Sequence, residues 1–111
     1  MRYGLELPAY EAGKPFEFER EMGYSREEFM RVARRLAKGA VVLDIDGVDG
    51  GVTIETTDGR LTIRVIEAFQ RKLALMALPA LRVRFTFEGM SERRIGQWFE
   101  VLERTFQRGG G

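Results

Sequence analysis

The stretch Val52–Val65 reads VTIETTDGRLTIRV, two runs of alternating apolar and polar residues joined by Asp58-Gly59. Alternation with a period of two is typical of a β-strand that buries one face. Asp-Gly between two such runs indicates a tight hairpin, because both residues adopt the backbone conformations that the turn requires. The sequence therefore predicts an antiparallel hairpin at the centre of the fold.

Further strands are predicted on both sides of this hairpin. Residues 41–45 alternate, with Val41, Leu43 and Ile45 on one face, so residues 40–66 are expected to form a three-stranded meander. Residues 81–88 alternate again, and Phe16-Glu-Phe-Glu19 predicts a short strand inside a turn-rich segment. Residues 67–80 fit either a helix or a strand, and we favour a short helix that Pro79 ends.

Two helices are predicted from their N-terminal caps. Ser25-Arg-Glu-Glu28 has the form of a capping box, which predicts a helix over residues 26–38. Ser91 caps a second helix, expected over residues 92–107. Each helix has one apolar stripe, made of Phe29, Val32, Ala33 and Leu36 in the first and of Ile95, Trp98, Phe99, Leu102 and Phe106 in the second.

These elements predict an α+β fold: a two-layer sandwich in which two main helices cover one face of a largely antiparallel sheet of four to five strands. Residues 1–24 are expected to form an extended, turn-rich lead-in packed on the domain. Residues 25–108 would form the single α+β domain, and residues 109–111 a flexible tail.

Composition excludes several classes of chemistry. The chain has no His and no Cys, which removes imidazole bases, thiol nucleophiles and most transition-metal ligands. Its net charge of +1 gives no strong electrostatic field. We therefore expect a protein that is not an enzyme and needs no cofactor.

The expected origin is a bacterium with a GC-rich genome, because the chain has more Arg than Lys and no Asn. Its longest apolar run is too short to cross a bilayer, so we expect a cytoplasmic protein without membrane contact.

An acidic segment supplies the candidate metal ligands. Asp44, Asp46 and Asp49 offer oxygen atoms to Ca²⁺ or Mg²⁺, and Glu55 follows at the spacing of a calcium-binding loop. Val48, however, occupies a ligand position of such a loop, and Asp49 occupies the position of its invariant glycine. We expect a hairpin turn here and no metal site.

Arginine clusters supply the candidate ligand-binding residues. Arg31, Arg34, Arg35 and Lys38 form a basic stripe on the first helix, while Arg64, Arg82 and Arg84 share the face of the sheet that the helices leave open. Such clusters bind phosphate groups, so the candidate ligand-binding residues are Arg31, Arg35, Arg64, Arg82 and Arg84. We do not expect nucleic acid as a partner, because acidic residues interrupt the sheet cluster and that face lacks stacking aromatics.

The pattern Arg31-x-x-x-Arg35, together with Asp46–Gly51, is similar to the cyclic-di-GMP motifs of PilZ domains. That resemblance would make Arg31, Arg35, Asp46 and Gly51 contacts to a nucleotide, although Val48 stands where the family has a serine. A module that binds a nucleotide or phosphate is accordingly the alternative function.

The favoured function is a small non-catalytic bacterial domain that binds a protein partner or associates with itself. The sequence predicts a homodimer that forms through the open sheet face or along a sheet edge. The residues expected on that face are Val42, Thr53, Thr62, Arg64, Arg82, Arg84 and Thr86.

Overall fold

One antiparallel sheet and two helices make up the fold in the structure, a computed structural model that describes residues 7–36, 41–44 and 51–106. The strands are β1 (Phe16–Met22), β2 (Val41–Asp44), β3 (Gly51–Thr56), β4 (Gly59–Leu73) and β5 (Met76–Glu88), and the helices are α1 (Arg26–Leu36) and α2 (Glu92–Thr105). The order across the sheet is β1-β5-β4-β3-β2, and every neighbouring pair is antiparallel. The predicted α+β class is confirmed.

The core lies between one face of the sheet and the helices. Phe85 of β5 stacks on Phe18 of β1 with ring centroids 5.0 Å apart. Phe106, at the end of α2, lies 6.4 Å from Phe85 and stacks on Phe29 of α1 at 5.5 Å. Alternate strand residues and the predicted apolar stripes of both helices belong to this one cluster, including Trp98, which is buried as expected.

Both helices begin at the predicted serine caps. The Ser25 hydroxyl accepts a hydrogen bond from the Glu28 amide, and the Glu28 carboxylate accepts one from the Ser25 amide, each at 3.2 Å. The Ser91 hydroxyl accepts from the Arg94 amide at 3.2 Å. These bonds satisfy amide groups that have no partner within the helix, so both serine side chains serve the fold.

The predicted hairpin between β3 and β4 is confirmed. The Thr56 hydroxyl donates to the Gly59 carbonyl at 3.0 Å and accepts from the Asp58 amide at 3.1 Å. Gly59 has a φ of 137°, and a side chain there would place its Cβ 2.5 Å from the carbonyl oxygen of Glu88. Glycine is therefore required at this position on two grounds, backbone conformation and close approach of β5.

The short helix favoured for residues 67–80 is wrong. These residues continue β4 and β5 as a two-stranded ribbon, in which Phe69 pairs with Ala80, Arg71 with Leu78 and Leu73 with Met76. A β-bulge between Val65 and Glu67 marks where the ribbon leaves the sheet. The apolar spacing of four that suggested a helix is also twice the strand period, and Pro79 is tolerated at an edge of the ribbon.

The predicted alternation of β2 is also wrong. Val42 pairs with Ile54, a core residue, whereas Leu43 pairs with Thr53. This register is the opposite of the one that assigned Val42 to the open face.

Some predictions concern residues outside the described part of the chain. They are the helix ends at residues 38 and 107, most of the acidic turn from Asp44 to Gly51, and the tail at 109–111.

One buried charge was not anticipated. Arg20 of β1 is only 3% exposed, on the face of the strand that belongs to the core, and its guanidinium carbon lies 5.1 Å from the ring centroid of Phe18. A cation over an aromatic face gains electrostatic attraction, which compensates part of the cost of its burial.

Candidate functional site

The structure brings together the three sheet arginines named as candidate ligand-binding residues. Arg64 and Arg84 are cross-strand neighbours, and Arg82 lies two residues from Arg84 along β5. Their side chains occupy the open face, which is the face of the sheet opposite the helices. This part of the candidate site therefore exists as a cluster.

Acidic neighbours neutralise most of this cluster. Arg84 donates from Nε and Nη2 to one carboxylate oxygen of Glu19, at 3.1 and 2.8 Å, and Glu17 lies 3.8 Å away. Arg82 pairs with Glu67 at 3.0 Å. The hydrogen bond with Glu19 raises the pKa of Arg84, despite the opposing effect of partial burial. Cations held in this way offer little unpaired charge to a phosphate.

The two helix arginines lie elsewhere. Arg31 and Arg35 are exposed on α1, which packs on the core face of the sheet through Phe29 and Ala33. The sheet thus separates them from the cluster on the open face, and the five candidate arginines do not form one site. Gly51 also belongs to the PilZ-like pattern, and it lies opposite Arg64 in the ladder between β3 and β4. Asp46 lies outside the described residues.

The acidic segment provides no described metal site. The side chains of Asp44, Asp46 and Asp49 lie outside the described part of the chain, and Glu55 forms an ion pair with Arg60. Among the side chains described in residues 7–36 and 51–106, no group of three carboxylates is close enough to hold a metal ion.

An open cleft of about 890 Å³ lies at the end of the sheet where β3 turns into β4. Its charged lining is balanced, with Glu55, Asp58 and Glu88 against Arg60, Arg93 and Arg94. Arg94 pairs with Asp58 at 3.1 Å, and the Ser91 hydroxyl at its edge caps α2. Arg60 and Arg94 are paired with Glu55 and Asp58, and the charges of the lining cancel, so the cleft presents no net charge to a ligand.

The most unusual surface is the tip of the ribbon formed by residues 68–80, which we call the arm. Leu75 at its apex is 103% exposed, and Leu73 and Met76 beside it are 56% and 61% exposed. Beyond Leu81 and Arg64, where pairing with β1 and β3 stops, no third strand covers the arm among the described residues. Exposed apolar groups clustered on a projecting element make this surface a candidate contact site.

The sequence contained a signal for this surface. Residues 73–79 read LALMALP, seven apolar residues without a charge, and Pro79 prevents a helix from continuing through them. A run of this kind that is neither a helix nor a membrane span must be a buried strand or an exposed contact. The arm was missed because residues 67–80 were expected to form a short helix.

Comparisons with protein-family models, with curated proteins and with solved structures find no match to this chain. Neither described helix is long and apolar enough to cross a bilayer.

Proposed function

We propose that the protein is a non-catalytic interaction module, acting in the cytoplasm, that binds a protein chain through the tip of the arm. One observation carries this proposal. Four large hydrophobic side chains are exposed among the described residues, and three of them, Leu73, Leu75 and Met76, lie together at the tip. Scattered exposed leucines are ordinary on protein surfaces, but a cluster at the end of a projecting ribbon is not.

Energetics support a bound state of the arm. Burial of one Leu or Met side chain is worth about 1.5–3 kcal/mol, so a partner that covers the tip gains several such contributions. The arm also has little support of its own, because a two-stranded ribbon without a packed face is marginally stable in water. A partner that packs against the tip would stabilise both the contact and the ribbon.

The alternative function, phosphate or nucleotide binding by the arginines, has weaker support. The five candidate residues lie on two sides of the molecule, and Arg82 and Arg84 are engaged by Glu67 and Glu19. A phosphate would have to displace these carboxylates before it could bind.

Photo-cross-linking in the cells that make the protein tests the proposal. A photoreactive amino acid at Leu75 should give a discrete adduct with a protein, because the apex would lie inside the contact. The same probe at Leu7, which is 42% exposed and lies outside the arm, provides the matched control and should give none. Equal labelling at both positions, or no adduct at Leu75, would contradict an interaction through the tip.

A further inference from the structure

We infer that the partner of the arm is a second copy of this chain, an inference that rests on the proposed function. In this dimer the two arms lie side by side and antiparallel, so the tip of each arm reaches the base of the other. Three features of the described residues support this arrangement: a vacant strand edge, a groove at its end and the distribution of charge along the arm.

The vacant edge lies beside β5. Pairing between β1 and β5 stops at Met22 and Leu81, after which the chain leaves the sheet and enters α1 at Arg26. β5 continues to Met76, so its outer edge over residues 76–80 has no neighbouring strand in the described part of the chain. An uncovered edge of this kind is where a strand from another chain can add.

The same segment in a second copy fits this vacancy. Five residues of a strand span about 17 Å, and an antiparallel copy of residues 76–80 fills that length from end to end. A twofold axis makes the two contacts identical, as closed dimers require. Pro79 has no N–H to donate, so the ladder between the copies is short and the side chains at the tip supply most of the affinity.

A shallow groove of about 320 Å³ lies at the inner end of the vacancy. It lies between the start of α1 and the base of the arm, and its lining includes Tyr24, Ser25, Arg26, Pro79, Ala80 and Leu81. In the antiparallel arrangement the apex of the second arm arrives at this groove. Leu75, fully exposed in the single chain, would be buried there.

Charge favours the antiparallel orientation of the arms. Residues 68–81 contain Arg71 and Lys72 and no carboxylate, whereas Glu21 and Glu67 flank the base of the arm with side chains about half exposed. In the antiparallel arrangement the partner's Lys72 lies level with Pro79, nearer to Glu21 than Lys72 of the same chain, which lies opposite Ala77. Glu21 can accept a second cation because its pair with Arg71 of its own chain is exposed and 3.7 Å long.

Solution mass against concentration tests the dimer. Sedimentation should give a mass that rises from 12.7 kDa toward twice that value, with a midpoint in the micromolar range because the contact is small. Leu75→Ala should raise the dissociation constant about 100-fold, since each dimer buries two copies of this side chain. Leu7→Ala, the matched control, should leave the constant unchanged.

Cysteine cross-linking tests the geometry, and the natural chain has no cysteine to interfere. Leu75→Cys in one tagged copy should form a disulfide with Arg26→Cys in a differently tagged copy, because apex and groove meet. Leu75→Cys alone should not cross-link to itself, because the two tips lie at opposite ends of the paired arms. A disulfide between the two tips would overturn the antiparallel arrangement.

A chain that stays at 12.7 kDa at every concentration, or a dimer that Leu75→Ala leaves unchanged, would overturn the inference. If the probe at Leu75 still gives an adduct with a different protein, the proposed function survives and only the identity of the partner is wrong. If the probe gives no protein adduct and the protein instead sediments with vesicles of anionic lipid, both the inference and the proposed function fail.

Discussion

The β4–β5 hairpin occupies two environments along its length. Between Arg60 and Val65 it lies in the middle of the sheet, with β3 on one side, β1 on the other and helices over one face. Beyond the bulge at residue 66 it continues as the arm, which neither β1 nor β3 accompanies in the described part of the chain. The same pair of strands is thus covered in one half and uncovered in the other.

The two halves of the hairpin differ in which side chains are exposed to water. Within the sheet, buried residues such as Ile63 and Phe85 alternate with polar residues, among which Arg84 is paired with Glu19. At the arm tip the apolar residues are the exposed ones. The pattern within the sheet is the one expected for a face in contact with water, because its exposed residues are polar. Contact with water does not account for the apolar tip, which is why the proposed contact is placed on the arm and not on the open face.

The largest effect is expected where the hairpin is covered. Phe85 is fully buried and stacks on Phe18, so Phe85→Ala should lower the free energy of unfolding by about 3–5 kcal/mol. Urea denaturation followed by circular dichroism measures this loss. For a small domain it is a large fraction of the total stability.

The matched substitution at the tip is Leu75→Ala. Its side chain is fully exposed, so the free energy of unfolding of the single chain should change by no more than about 0.5 kcal/mol. Measurement at a protein concentration below that of association keeps the dimer from contributing. A loss close to that of Phe85→Ala would show that the tip is buried within the chain and would remove the contrast between the two halves.

An effect smaller than that of Phe85→Ala is expected from the ion pairs of the open face. Glu19→Gln removes the charged partner of Arg84, and the pair is partly exposed, so stability should fall by about 0.5–1 kcal/mol. The pKa of Arg84 is raised, so its cation persists through neutral pH and its contribution would be lost only at strongly alkaline pH.

Salt distinguishes this electrostatic loss from a packing defect. The difference between Glu19→Gln and the parent should shrink as ionic strength increases, because exposed charges are screened. Glu100→Gln, on the exposed surface of α2 and outside the network, is the control and should have almost no effect. A loss that is independent of salt would indicate that Glu19 acts through packing.

Sequence analysis succeeded for the elements in which the local sequence pattern and the tertiary packing favour the same structure. The Asp58-Gly59 turn, the Ser25 and Ser91 caps and the apolar stripes are local signals, and long-range packing on one core reinforces each of them. The β2 register could not be read, because Val41-Val42-Leu43 is apolar at successive positions and fits either face.

Candidate sites were harder to predict because they depend on pairing across strands. Spacing alone grouped Arg64, Arg82 and Arg84 correctly, but it could not show that Glu19 and Glu67 neutralise two of them. The arm was missed for a related reason. Leu73 and Leu75 look like core residues in any sequence pattern, and only the point where β1 and β3 stop pairing makes them exposed.

A small effect is expected from the turn at the end of the arm. Ala74 has a φ of 55°, a left-handed conformation that costs an L-residue with a side chain about 1 kcal/mol relative to glycine. Hairpins whose first loop residue has a positive φ prefer glycine there. Ala74→Gly should therefore stabilise the folded arm by about 0.5 kcal/mol, after allowance for the greater flexibility of glycine in the unfolded chain.

Hydrogen exchange of the arm amides measures the stabilisation by Ala74→Gly more directly than thermal unfolding of the whole domain does. The reason is that a ribbon with few packed contacts opens before the rest of the fold. Ala74→Gly should slow exchange in residues 68–80 and leave the core strands unchanged. Ala77→Gly is the matched control, since Ala77 lies in β5 with an ordinary strand conformation, and there glycine should speed exchange. Slower exchange in β3 as well as in the arm would show that the two halves of the hairpin unfold as one unit, and the distinction between them would then be structural but not energetic.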